Sequence, residues 1–166
     1  EQHYRHVLAN APKQEDALVY LGIALFDQRR FEESVAAYRE AIAIRANYPI
    51  AWNNLGNAIR MLGRVNEAEK CFETALHQQP GYLSALKNRG TLWSWCGEID
   101  RGLLWYQRGL EVDPNNAELH RNLGVIHLLQ GNYDLGWDEY RWRWKMPGMS
   151  RPSTSAPIWA GETLQG

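Results

Sequence analysis

The sequence predicts an all-α solenoid of antiparallel helix pairs, and three observations predict it. Gly22, Gly56, Gly90 and Gly124 stand 34 residues apart, and Tyr38, Phe72, Tyr106 and Tyr140 repeat at the same interval. Between these columns runs a third, Ser34, Ala68, Gly102 and Gly136, in which every residue is small. Within each period, apolar residues recur at helical spacing on both sides of a break at Gly63, Gly97 or Gly131. A fixed period of this length with helical patterning inside it describes stacked helix pairs, none of which can bury its apolar face alone.

The elements follow in order. Residues 1–14 read as the second helix and turn of a truncated preceding unit, closed at Pro12. Residues 15–48 form the first complete unit, in which Arg29 takes the turn position that later units give to Gly. That turn is expected to close less favourably, since Gly takes a left-handed helix cap without a Cβ clash. Residues 49–82 form the second unit. Ala51, Trp52, Leu55, Ile59 and Leu62 make the stripe of a helix over 50–62, and Val65, Ala68, Phe72, Ala75 and Leu76 that of a helix over 65–78. Residues 83–116 form the third, with its first helix over 84–96. Arg89 stands there among core positions. A buried, unpaired arginine costs on the order of several kcal/mol, so Arg89 is expected to pair or to snorkel. Residues 117–146 form an atypical last unit. His120 and His127 replace large apolar residues and read as packed, neutral histidines. Its second helix contains GWDEYRWRWK, with Trp137, Tyr140 and Trp144 as the expected buried stripe. Arg143 interrupts the column Ala41, Ala75, Gly109, so no further unit of the same kind can pack closely there. Trp142, Arg143 and Trp144, with Trp159, are therefore the candidate domain junction. Residues 147–166 have the Pro/Gly composition of a tail or linker to a further domain.

The stretch AWNNLGNAIRMLGRVNEAEKCFETALHQQP, residues 51–80, resembles the tetratricopeptide repeat family at Trp52, Leu55, Gly56, Gly63, Ala68, Phe72, Ala75 and Pro80. The resemblance implies a right-handed superhelix in which the first helix of each unit lines a concave groove that binds protein. The groove candidates are then Asn53, Asn54, Asn57, Arg60 and Met61, followed by Lys87, Asn88, Thr91, Ser94 and Trp95, and by Arg121, Asn122, Val125 and Leu129.

Asn54, Asn88 and Asn122 stand in register, although Asn is a mediocre helix former. One reading is a ladder of amides that clamps the backbone of an extended peptide. It is similar to the asparagine ladder of protein O-GlcNAc transferases. The other is that these amides satisfy polar groups between units. Tyr20 ends the column in the first unit. Trp95 is either an exposed anchor or packed against Met61 or Leu129. The family's carboxylate clamp for EExVD-type tails fits poorly, because Val19 and Ile23 stand where Lys and Asn are wanted and Glu118 has the wrong sign.

The last segment resembles the junction of bacterial proteins that join such repeats to a glycosyltransferase-like domain. The matching residues are Gly136, Trp137, Tyr140, Arg143 and Trp144, then Pro157, Trp159, Gly161, Glu162, Leu164 and Gly166. The resemblance implies an acceptor-recruiting region whose catalytic residues lie outside this sequence. The alternative is a freestanding adaptor or self-assembling scaffold with no linked enzyme.

Composition narrows the remaining classes. A net charge of -1 gives no basic excess for a phosphate backbone, so no nucleic-acid partner is expected. No apolar run is long enough to span a membrane and no signal peptide opens the chain, which points to the cytoplasm. No phosphate loop, dinucleotide fingerprint, nucleophile elbow or HExxH is present. His3 and His6 share a helix face with no further ligand to complete a metal shell. No catalytic residue, metal or cofactor is therefore expected. Cys71 and Cys96 read as two reduced, mostly buried thiols. The chain begins at Glu1 within a helical pattern, which reads as an excised fragment. Core faces left bare at residues 1–12 and 133–146 predict a homo-oligomer that forms with concentration.

Overall fold

The structure, a computed structural model, describes residues 15–150. Every regular element among them is helical. The α-helices are α1 (Glu15–Asp27), α2 (Phe31–Ile44), α3 (Pro49–Met61), α4 (Val65–Gln78), α5 (Leu83–Trp95), α6 (Ile99–Val112), α7 (Ala117–Leu129) and α8 (Tyr133–Tyr140), followed by a 3-10 turn at Arg141–Lys145. The fold is an all-α solenoid of antiparallel helix pairs, and the first helices start and stop within a residue of the expected positions. The proposed truncated helix at 1–14 and the tail beyond residue 150 lie outside the described residues. The chain divides into two compact units that meet within α6, one running to Trp105 and one starting at Tyr106.

In the first unit α1 packs on α2, α2 on α3, α3 on α4 and α4 on α5. The pairs are set by glycine facing an aromatic ring. A Cβ on Gly22 would lie 2.5 Å from Tyr38 Cε1, and one on Gly56 would lie 2.6 Å from Phe72 Cε1. Tyr38 and Phe72 are 2% and 0% exposed, so each ring is sealed in the space the glycine leaves. The small column closes the same contact from the other side. Ser34 is wholly buried and its hydroxyl donates to the Gly22 carbonyl at 2.8 Å, while Ala68 is 0% exposed. Leu18, Val19, Val35, Ala51, Leu55, Ala58, Ile59 and Leu92 complete a continuous core.

Turns within pairs need a left-handed residue after the first helix. Gly63, Gly97 and Gly131 supply it at φ of 75°, 81° and 79°. Arg29 is forced into the same conformation at φ 61°, although a side chain there meets the backbone unfavourably.

Arg89 does find partners. Its guanidinium donates to Glu69 Oε1 from Nε at 2.8 Å and again from Nη2, and Nη2 also reaches Glu73 Oε1 at 3.1 Å. The plane lies 3.8 Å from the centre of the Trp105 ring. Trp93 Nε1 donates to the other Glu69 oxygen at 3.1 Å. The Arg89 and Glu69 side chains are only 11% and 13% exposed, so this pair ties α5 to α4 with little water between them.

In the second unit α7 packs on α8 and on the 3-10 turn. Leu119 fills the space beside Gly109, where a Cβ would lie 2.6 Å from Leu119 Cδ1. In the α7–α8 pair the glycine meets backbone rather than an aromatic ring. A Cβ on Gly124 would lie 2.5 Å from the Tyr140 backbone nitrogen, and one on Gly136 would lie 2.7 Å from Leu128 Cγ.

The expected single helix over GWDEYRWRWK is corrected here. The α-helix ends at Tyr140 and tightens into the 3-10 turn. Trp137 is 43% exposed, and Trp144 is half-buried rather than sealed in a stripe. A continued helix would carry Arg143 into the column where Ala41 and Ala75 are 0% exposed, and a guanidinium cannot enter that space. It instead donates back to the Tyr140 carbonyl at 3.0 Å and lies over the Tyr140 and Trp144 rings.

Three stability outcomes follow from this packing and are read from thermal or urea melts. Gly56→Ala should destabilise by about 1–3 kcal/mol, because Phe72 has no space into which to retreat. Arg29→Gly should stabilise by up to about 1 kcal/mol, the relief of left-handed strain exceeding the added freedom of the unfolded chain. Arg89→Ala should cost about 3–5 kcal/mol, since it leaves Glu69 charged and nearly buried.

Candidate functional site

The polar columns of the first helices are the candidate site, and each unit presents its own part. In the first unit α3 and α5 carry Asn54, Asn57, Arg60, Lys87, Asn88 and Thr91, all half-buried. Asn53 differs from its expected place. It is 3% exposed and cannot line a groove, because it lies beneath Asn54 and Asn88 rather than beside them. Asn88 Nδ2 donates to Asn53 Oδ1 at 2.9 Å, and Asn53 Nδ2 donates to Asn54 Oδ1 at 3.2 Å. The chain of amides joins α5 to α3 and leaves Asn54 and Asn88 partly open to water.

Trp95 is 68% exposed, which decides between its two readings in favour of an open ring. Met61, one residue it could have packed against, is itself 38% exposed. The Arg60 guanidinium lies 4.3 Å from the Trp95 ring centre, and its Nη2 reaches Asn57 Oδ1 at 3.4 Å. A cation held on one ring face fixes the indole and leaves the other face available. The Thr91 hydroxyl donates to the Lys87 carbonyl at 3.0 Å and that of Ser94 to the Gly90 carbonyl at 2.8 Å, so both are turned toward their own helix.

In the second unit Arg121 Nη2 donates to Asn122 Oδ1 at 2.9 Å. Val125 and Leu129 further along α7 are 40% and 78% exposed. The helix starts cleanly, with the Asn116 side chain accepting from Leu119 N at 3.1 Å.

His120 is not the apolar-packed ring that its position suggests. Its Nδ1 lies 2.5 Å from Glu139 Oε2 and its Nε2 lies 2.8 Å from the Pro114 carbonyl. The ring stacks on Trp142 at 3.9 Å, and Lys145 Nζ sits 3.4 Å from the Trp142 ring centre. Two of the candidate junction residues, Trp142 and Arg143, are thus engaged within the unit, and Trp159 lies outside the described residues. Sequence patterning could not have found the His120–Trp142 stack, because it depends on the helix unwinding after Tyr140.

The chemistry available elsewhere is small. A cavity of about 320 Å³ between α2, α3 and α4 is lined by Ile42, Trp52, Leu55 and Cys71, with Arg39, Glu67, Lys70 and Thr74 among its polar residues. Arg39 and Glu67 are paired across it at 2.5 Å. Burial, with a smaller contribution from Glu67, pushes the Cys71 thiol up to about 12, so it carries no thiolate at neutral pH. Cys96, expected to be buried, is exposed just before the turn glycine, where the helix end lifts it away from the core. Among the described residues no group of three His, Cys, Asp or Glu is placed to hold a metal, and no helix is long and apolar enough to cross a membrane.

Comparison with known proteins agrees with this architecture. Residues 22–63 and 96–131 match the family described as TPR repeat, and residues 49–82 match the tetratricopeptide repeat, so that together more than half the chain is covered. The chain is 32% identical over 98 residues to Hsp70-Hsp90 organizing protein 2 of Arabidopsis thaliana, which takes in 59% of this chain and 17% of that protein. It therefore spans less than a fifth of that relative. The crystal structure of MamA superposes with a TM-score of 0.71 at 18% identity, over 86% of this chain and 83% of the other. YrrB, a TPR protein with an unusual peptide-binding site, superposes with a TM-score of 0.66 at 18% identity, over 86% and 73%.

Proposed function

Since the chain belongs to the tetratricopeptide repeat family, we propose that it is a non-catalytic interaction array whose first helices bind an extended polypeptide. The observation that carries the reading is the amide column. Asn54, Asn88 and Asn122 are half-buried, held in place by neighbours, and each keeps unused hydrogen-bonding capacity. Asn57, Arg60, Lys87, Thr91 and Trp95 in the first unit, and Arg121 in the second, complete the contact residues we assign, with Asn53 supporting from below. Exposed Trp95 with Arg60 on one face is the natural anchor for a ligand side chain. Likeness to chaperone-organising and peptide-binding repeat proteins supports a polypeptide partner; the reading assigns no role to nucleic acid, membrane or cofactor. Val19 is buried and Ile23 is apolar at the clamp positions, so a chaperone tail is not the ligand we propose.

Our division of the array is 1–14, 15–48, 49–82, 83–116, 117–146 and 147–166. A narrower reading makes it the acceptor-recruiting part of a larger bacterial glycosyltransferase-like protein. It rests on Gly136, Trp137, Tyr140, Arg143 and Trp144, followed by the Pro157–Gly166 motif. The second reading, a freestanding adaptor that self-assembles, is favoured by the exposure of Tyr133, Leu135 and Trp137 on α8, at 63%, 59% and 43%. The coding sequence that follows Gly166 separates the two. We place the protein in the cytoplasm on either reading.

The groove itself is tested with the tightest peptide selected from an immobilised random-peptide array. Changing Asn54, Asn88 and Asn122 together to Ala should weaken that peptide by about tenfold or more while helical content by circular dichroism is kept. Unchanged affinity, or an array on which nothing binds above background, defeats the reading.

A further inference from the structure

A primary amide has one end that only donates, the NH2 group, and one that only accepts, the carbonyl oxygen. What a ladder amide offers a ligand is therefore whichever end its own protein leaves unused. In the second unit the answer is fixed by chemistry as well as by distance. Arg121 Nη2 donates to Asn122 Oδ1 at 2.9 Å, and a guanidinium has no acceptor, so the Asn122 carbonyl must face Arg121. Its NH2 group is left for a partner.

In the first unit Asn53 plays the corresponding part. Its Nδ2 donates to Asn54 Oδ1 at 3.2 Å, which leaves the Asn54 NH2 group unused. Its Oδ1 accepts from Asn88 Nδ2 at 2.9 Å, which leaves the Asn88 carbonyl unused. Asn53 is 3% exposed and so acts on a ligand only through these two neighbours. Asn53 and Arg121 occupy the same position two repeats apart, one residue before the ladder, and Lys87 holds that position in the repeat between them.

Building on the polypeptide-binding reading above, we propose that this preceding column sets the polarity of the ladder. Asn53 and Arg121 are positioning residues. They turn Asn54 and Asn122 so that their N–H groups meet main-chain carbonyls, and turn Asn88 so that its oxygen meets a main-chain N–H. An extended chain offers one carbonyl and, except at proline, one N–H per residue, so the ladder discriminates backbone polarity and register rather than side-chain identity.

Aspartate tests this directly, because it keeps the shape of asparagine but only accepts. Asn122→Asp retains the bond from Arg121 and adds charge to it, and Asn54→Asp retains the bond from Asn53. Asn88→Asp loses its donated bond and sets a carboxylate against Asn53 Oδ1. Thermal melts of the unliganded protein should therefore place Asn122→Asp at or above the parent, with Asn54→Asp close to it. Asn88→Asp should fall below it by about 2–4 °C or more. The opposite order, or an equal fall in all three, overturns the proposal without any ligand.

The binding arm uses the same array-selected peptide. Asn54→Asp and Asn122→Asp should each weaken it by about tenfold or more, and further than Ala at the same position, because a carboxylate repels the carbonyl that an amide would hold. Equal or tighter binding by Asn122→Asp also overturns it. If no peptide binds the parent, the polypeptide-binding reading falls, while the melts still decide how the amides are turned.

Discussion

The ring of Phe72 sits where a side chain on Gly56 would have to be, and Tyr38 stands in the same relation to Gly22. This contact sets the helix pairs of the first unit. A glycine lets the second helix approach until its aromatic ring is wholly covered, and the small residue four positions before that ring removes the remaining obstacle. Ser34 adds a hydrogen bond to the Gly22 carbonyl, so a buried hydroxyl is satisfied by the approach that buries it. The polar columns of the first helices follow from the same geometry. One face of each first helix is committed to the helix-pair contact, and the polar columns lie away from it.

Polar groups inside the array are tolerated because each is answered by another. Arg89 departs from the apolar rule of its column, and Glu69, Glu73 and the Trp105 ring all converge on it. Such a pair contributes more to registry than to net stability, since the cost of removing both charges from water offsets most of their attraction. Asn53 is the neutral counterpart. It uses both ends of its amide on Asn88 and Asn54, joining α5 to α3 and arranging the surface amides at once. In both cases a residue that looks anomalous in one repeat is explained by a residue in the adjacent one.

The last described repeat departs from the packing of those before it. Gly124 and Gly136 bring α7 and α8 together with backbone against backbone at Tyr140. That approach and the arginine at position 143 make a full-length second helix incompatible with the packing. The chain responds with a 3-10 turn in which Arg143 lies on Trp144 and Lys145 on Trp142, while His120 of α7 stacks on Trp142. Leu135 and Trp137 are exposed on α8.

The sequence by itself determined the helix pairs, their period, the turn glycines and the core columns, because each depends on residue size and spacing along one chain. It also located the amide column Asn54, Asn88 and Asn122, since registration at a fixed period needs no third dimension to be seen. Only the tertiary structure decided that Asn53 lies beneath that column, that Arg89 meets Glu69, that Trp95 is open while Cys96 is exposed, and that α8 stops at Tyr140. Those outcomes depend on which side chains of neighbouring repeats meet, and on how much space a close helix approach leaves. A periodic pattern predicts that neighbours will stack, but it does not say which polar atoms will face one another when they do.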